Sequence, residues 1–394
     1  MAAVGVFASP VSLVAADWPG FGGPTFDRMA PDTQINKEWS LRPPKVLWTT
    51  PMSDGGFAGA SVADGKVFIV DHRGAQDMVR AIDVATGKDV WSFAYGELSQ
   101  NRFGFTESTP LYDAGKLYTF SKLGKVHCLD AATGKRLWMR DAFKDFAGRR
   151  PEWDFAASPA MADGRLILYP GGKGASVVAL DAADGRTLWK AGESVVSYST
   201  PQYVTLNQKK QVITFVGDGL AGLDPATGAR LWFFPWQVDH DQNSAQPIIA
   251  GSTIFFSTAW GKGSVLLDVA GDRPVVLWKS LEMQSRFASP VLHDGRIYGT
   301  HDSGQLVCLD AKSGALLWKQ PGFEFASTIA VDGCIVVQEG KSGDLILLDA
   351  QTPQYKELGR FRPLGGPDCW SSPVISDGRM IVRNKKTLAC VDLR

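Results

Sequence analysis

Five cysteines, five histidines and 41 acidic residues are the raw material for catalysis or metal binding in this 394-residue chain. Their spacing assembles little of either. His72, His127, His240, His293 and His301 show no metal-ligand spacing, so no metal is expected. No Gly-x-Ser-x-Gly elbow, P-loop or EF-hand loop occurs. Gly171-Gly172-Lys173-Gly174 follows a strand-like run but opens no helix, which argues against a phosphate cradle. The cysteines are odd in number, dispersed and never adjacent, so they make no disulfide scaffold. Cys128, Cys308 and Cys390 each stand two residues before a recurring Asp and read as small core residues. Cys334 falls in a β-rich run, and Cys369 lies in a loop beside Trp370.

Richer chemistry gathers in six short segments that resemble one another in nothing but composition. They are Arg102-Phe103-Gly104-Phe105-Thr106-Glu107, Arg149-Arg150-Pro151-Glu152-Trp153-Asp154-Phe155, Asp239-His240-Asp241-Gln242-Asn243, Gln284-Ser285-Arg286-Phe287, Phe323-Glu324-Phe325 and Asp368-Cys369-Trp370. Aromatics beside arginines and carboxylates suit a sugar, a peptide or a planar ligand, through stacking and charge-assisted hydrogen bonds. The candidate contacts are Arg102, Glu107, Trp153, Asp154, His240, Asp241, Asn243, Arg286, Glu324 and Trp370. The alternative is that these side chains satisfy one another and plug the space they share.

The elements that would position them repeat. An apolar run ending in Asp, then Thr/Ser/Asp-Gly, then Trp recurs at Asp83–Trp91, Asp130–Trp138, Asp181–Trp189, Asp224–Trp232 and Asp310–Trp318. A looser copy with two extra residues runs from Asp268 to Trp278. A seventh, at Asp349, lacks the Trp and closes at Phe361, and an eighth is cut short after Asp392. Successive tryptophans lie 40 to 51 residues apart, the length of one four-stranded propeller blade. A second phrase, such as Ser158-Pro159 before Asp163-Gly164, precedes each copy and reads as a strand and a tight hairpin. The fourth strand missing from the last repeat stands at the other end of the chain, as Lys45-Val46-Leu47-Trp48. The expected fold is therefore an all-β, eight-bladed propeller of four-stranded antiparallel blades. Its N-terminal strand closes the C-terminal blade. The propeller spans residues 45–394, behind a lead-in at 17–44. The loops above would then meet at one mouth of its channel.

Trp48, Trp91, Trp138, Trp189, Trp232, Trp278 and Trp318 hold the repeat position and are expected to dock on the turn of a neighbouring blade. Burying one such ring removes roughly 150–250 Å², about 4–6 kcal/mol gross. The recurring Asp residues read as turn caps. Forty-one basic residues balance 41 acidic ones, which argues against nucleic acid or an anionic membrane surface as partner. Val4 to Ala16 is too short to span a bilayer. Ending in Val14-Ala15-Ala16, it reads as the remnant of a signal peptide at residues 1–16, although it has no basic start. A periplasmic or secreted monomer without a transmembrane anchor is expected.

The Ala-x-Asp-x-x-Thr-Gly-x-x-x-Trp phrase resembles the tryptophan-docking motif of pyrroloquinoline-quinone (PQQ) repeat propellers, most closely at Asp130–Trp138, Asp181–Trp189 and Asp310–Trp318. The likeness covers residues 45 to 394. Asp17-Trp18-Pro19-Gly20-Phe21-Gly22-Gly23-Pro24 also looks like the lead-in of secreted bacterial members. The resemblance implies one of two roles. One is a quinoprotein dehydrogenase, with PQQ stacked between a Trp and a disulfide of adjacent cysteines, a Ca²⁺ held by Glu and Asn, and an Asp base. The other is a non-enzymatic BamB-like propeller that binds a protein, small-molecule or saccharide partner. No Cys-Cys pair and no haem-attaching Cys-x-x-Cys-His occur, so the non-catalytic scaffold without cofactor is the expected role.

Overall fold

A computed structural model describes residues 17–32, 34–53 and 55–394. The expected signal remnant, residues 1–16, lies outside the described residues. Eight sheets follow one another along the chain, each built on a four-stranded antiparallel meander. The inner strands of blades 1 to 8 are Ser61–Ala63, Leu111–Asp113, Ala160–Ala162, Gln202–Leu206, Ile248–Ala250, Val291–His293, Ser327–Val331 and Val374–Ser376. Inner strands of blades 1 and 2, 2 and 3, 3 and 4, 6 and 7, and 8 and 1 touch around the axis. Blade 8 takes its outer strand from the N-terminal side: Lys45–Pro51 pairs antiparallel with Thr387–Asp392, Lys45 opposite Asp392 and Thr50 opposite Leu388. The fold is the eight-bladed propeller read from the repeats.

Local chemistry explains the strands. Asp-Gly turns at 64–65, 163–164, 294–295, 332–333 and 377–378 carry positive φ at both residues, as a two-residue hairpin with the right twist requires. Asp83, Asp130, Asp224 and Asp310 accept the N–H and hydroxyl of the Thr or Ser three residues on, at 2.6–2.9 Å. Those bonds hold the four carboxyls below their usual range. The central residues of the middle strands, such as Val67, Phe68, Val79 and Ile82, are wholly buried between adjacent blades.

Each outer strand bulges one residue before the tryptophan position, which re-aims the next side chain. Trp48, Trp91, Trp138, Trp189 and Trp278 donate Nε1–H to carbonyls of the next blade at 2.9–3.2 Å. Their rings lie on Gly87, Gly134, Gly185, Gly228 and Gly314, where a Cβ would sit 2.5–2.9 Å from the indole. Trp232 departs from this pattern and donates to Gln211 Oε1 of its own blade at 2.8 Å. The facing turn, longer by two residues, carries Gly271, where an added Cβ would meet no atom within 4 Å. Trp318 meets the edge of Tyr355 at 5.3 Å where a glycine would be expected. In blade 7 the register position of the tryptophan is Gly359, not Phe361. Trp39, 1% exposed, packs on that glycine from the lead-in.

The lead-in also fills the channel. Trp18 and Val62 of blade 1 exchange backbone hydrogen bonds at 2.8 Å, and Tyr112 of blade 2 donates to the Pro19 carbonyl. Arg28, buried, donates to the Thr328 carbonyl and to Ser372 Oγ of blades 7 and 8. Met29–Ala30 then adds a parallel strand inside blade 7. Between blades, backbone N–H groups of Thr109, Ser158 and Gln246 donate to the hydroxyls of Ser158, Thr200 and Ser289 at 2.9–3.2 Å. The Ser/Thr-Pro phrase is thus an inter-blade clasp.

Candidate functional site

The loops entering the inner strands meet at one end of the channel. Aligned on the residue before each inner strand, the blades place Phe57, Glu107, Ala156, Tyr198, Ser244, Phe287 and Trp370 at one equivalent position, three residues earlier. In blade 7 strand register gives the same place to Phe325. Seven of these eight line a cavity of about 160 Å³, with Phe21, Phe103, Trp153 and Gln242. Blades 6, 7, 8 and 1 supply a continuous aromatic arc. Trp370 stacks on Phe57 at 4.6 Å, packs on Phe325 at 4.5 Å and runs parallel to Phe287 at 6.2 Å. Blades 2 to 5 supply Glu107, Ala156, Tyr198 and Ser244, a smaller and more polar arc.

Phe103 reaches across from the loop before blade 2. Its ring is edge-on to Trp153 at 5.5 Å and to Phe287 at 5.6 Å. Asn101 fixes that loop by donating to the Trp153 carbonyl and accepting from Phe103 N–H. Arg102 lies over Phe103 at 4.7 Å and Trp153 at 4.9 Å. Beneath, Glu107 Oε1 stands 2.5 Å from the buried Lys122 Nζ, which also donates to the Gly104 carbonyl. Burial pushes the Glu107 carboxyl up to about 7, against the pull of Lys122. Phe21 of the lead-in completes the lining.

The ten sequence candidates separate into three groups. Arg102, Glu107, Trp153 and Trp370 line or cap the cavity. His240, Arg286 and Glu324 stand farther out on the rim. His240 Nδ1 is 2.7 Å from Glu152, and its ring lies between Trp153 and Trp260. Arg286 lies over Trp260 and Phe287 and, with Glu324, lines a second hollow of about 200 Å³. Asp154, Asp241 and Asn243 do not line the cavity. Asp154 accepts from Ser99 and Arg150. Asp241 turns towards Gly217 and Asp218, where burial raises its carboxyl. Asn243, wholly buried, donates to the Val216 carbonyl and from its N–H to Ser197 Oγ, so it braces the loop. The sequence reading missed Phe21, Phe57, Phe103, Tyr198, Gln242 and Phe287 as contacts. For Phe57, Tyr198 and Phe287 a signal existed: the shared offset from the Ser/Thr-Pro phrase.

Thiol chemistry has no foothold here. All five cysteines are unpaired and buried, and burial pushes even Cys369, beside Trp370, up to about 12.

An eight-bladed ring stapled by indoles on glycines is a propeller of the PQQ-repeat class. The chain belongs to the family described as outer membrane protein assembly factor BamB, whose model matches residues 75–320 and 270–392. Among curated relatives, the outer membrane protein assembly factor BamB of Yersinia pestis is 22% identical over 90% of this chain and 79% of its own. The dehydrogenase subunit of a quinone alcohol dehydrogenase from Gluconobacter oxydans is 24% identical over 78% of this chain but only 45% of its own. The match to the Shewanella oneidensis assembly factor spans 56% of that protein. Two crystal structures share the fold: BamB of Moraxella catarrhalis, with a TM-score of 0.68 at 15% identity over 89% of this chain and 99% of its own, and the quinohemoprotein alcohol dehydrogenase of Comamonas testosteroni, with 0.71 at 16% over 95% and 80%. Among the described residues no helix is long and apolar enough to cross a membrane.

Proposed function

We propose that this propeller is a non-catalytic, periplasmic or secreted scaffold that binds its partner, a protein or a small ligand, at the aromatic mouth. The observation that carries the reading is the filling of that mouth by the chain's own rings, which leaves about 160 Å³ between them. Pockets that take a cofactor-sized molecule typically start near 300 Å³. The relatives named as outer membrane protein assembly factors support a binding role, and the unrelated loops on a repetitive frame support binding at this end.

The second reading, a PQQ-dependent dehydrogenase, draws on the likeness to quinone-dependent alcohol dehydrogenases. The residues present do not fit that cofactor. Adjacent cysteines are missing, and the five thiols lie apart and buried. Glu107 is committed to Lys122, and the Asn243 amide to the Val216 carbonyl of a blade-4 strand. Asp154 is held by Arg150.

Adding PQQ with Ca²⁺ and an alcohol, then following melting temperature and dye reduction, separates the two. The scaffold reading expects neither a shift nor turnover at saturating cofactor, because only a ligand of the folded state stabilises it. Cofactor-dependent dye reduction would overturn it.

A further inference from the structure

We propose that the mouth cavity is a binding site for a one-ring aromatic carboxylate, which seats its ring against the aromatic arc, an oxygen on Gln242 and its anionic end on Arg102. The inference rests on the mouth being the binding face.

Three observations converge. Gln242 is 2% exposed and lines the cavity. Trp260 Nε1–H lies 2.8 Å from its side-chain oxygen. An indole N–H can only donate, so that end of the amide is the carbonyl, and the NH₂ is the end left without a partner. A buried donor without an acceptor needs an explanation, and an acceptor brought by a ligand supplies one.

The second observation is charge. Five carboxylates around the mouth have a partner: Glu107 has Lys122, Asp154 has Arg150, Glu324 has Lys341, Asp368 has Lys385 and Glu152 has His240, while Asp241 turns away towards Gly217. Arg102 and Arg286 touch only aromatic rings and, among the described residues, have no carboxylate. A guanidinium fork already held flat on two rings is poised for a carboxylate. With Lys122 already engaged by Glu107, Arg102 is a cation at the rim left to meet an anionic ligand.

The third is size and lining. An apolar cavity of roughly 150 Å³ admits a benzene ring, and this one measures about 160 Å³ between seven aromatic side chains. A sugar of that volume would bring several hydroxyls to a wall with few groups to receive them.

The test is calorimetric titration of the whole protein with 3-phenylpropionate and, separately, with its uncharged amide. Wild type is expected to bind both, the acid about tenfold more tightly. Arg102→Gln, a change at the exposed rim, is expected to bring the acid down to the amide and leave the amide unchanged, which a merely structural role would not do. Gln242→Met is expected to weaken both. A peptide ending in phenylalanine with a free carboxylate, compared with its amidated form, distinguishes a chain terminus from a free small acid as the source. A preference for the free terminus marks the terminus, and binding of 3-phenylpropionate alone marks the small acid. No heat from either phenyl compound at about 5 mM, a free energy weaker than about −3 kcal/mol, would overturn the proposal. So would an acid-to-amide ratio untouched by Arg102→Gln. With PQQ inert, that failure would strike the ligand class alone. Turnover with PQQ would strike the scaffold reading whatever the aromatic acid does.

Discussion

Two rings of equivalent residues encircle this propeller, and they obey opposite rules. On the outer ring the tryptophan position is filled almost uniformly, and five of those indoles reach across to a carbonyl and a glycine of the next blade. On the mouth ring the eight equivalent positions hold Phe, Glu, Ala, Tyr, Ser, Phe, Phe and Trp. One contact solved eight times gives sameness, because every blade interface poses the same packing problem. The mouth ring packs against nothing repeated, so each blade contributes a different group to one shared space. Sameness marks stability and difference marks the site.

The largest expected effect lies on the outer ring. Trp189→Ala should cost about 3–5 kcal/mol in denaturant unfolding, since it empties a buried site and strands the Pro225 carbonyl. Trp370→Ala, half-buried at the mouth, should cost about 1–2 kcal/mol and read out mainly as lost binding. Equal costs would break the comparison.

Gly228→Ala comes next, at about 2 kcal/mol. Its φ of +74 disfavours a side chain, and the new Cβ would lie 2.5 Å from Trp189. Combined with Trp189→Ala it should be less than additive by about 1 kcal/mol, because the clash partner is gone. Full additivity would mean that the ring does not rest on that glycine.

A smaller effect follows from Glu107. Burial raises its carboxyl to about 7, so folding favours the neutral form. That contribution is complete below the ordinary carboxylate value and is lost as pH rises through about 7. Glu107→Gln should therefore remove about 2 kcal/mol of stability change between roughly pH 5 and 8. His127 works with the opposite sign, because burial lowers its imidazole to about 4 and its contribution fades as pH falls from the ordinary histidine value. The Glu107 effect is thus read as the difference between variant and wild type at each pH. An unchanged difference would mean that Glu107 titrates as an exposed acid.

The frame was legible because it repeats. Asp-Gly turns, Thr-Gly turns and the spacing of tryptophans each report one local requirement many times, and the lone Lys45–Trp48 strand completes the count. What repeats nowhere was not legible. Residues 17–44 contact strands about 300 positions away, as Arg28 does through Thr328, and no local pattern announces such partners. Nor could Trp39 be foreseen beside Gly359, since the glycine's vacancy is visible only in strand register. Asn243 looked like a ligand contact by its company, Asp239-His240-Asp241, yet the tight turn there rotates it into the wall. Four of the ten proposed contacts lie at the cavity because charged and aromatic residues do mark the mouth. His240, Arg286 and Glu324 stand on the rim, and Asp154, Asp241 and Asn243 turn away, because composition alone does not give direction.

The division between the two rings can be tested in one spectrum, the fluorine NMR of protein labelled with 5-fluorotryptophan and titrated with 3-phenylpropionate. The predicted result is saturable movement of the Trp153 and Trp370 resonances, assigned by single substitution, while those of Trp48, Trp91, Trp138 and Trp189 stay fixed. Movement of the outer-ring resonances with the mouth pair silent would contradict the account.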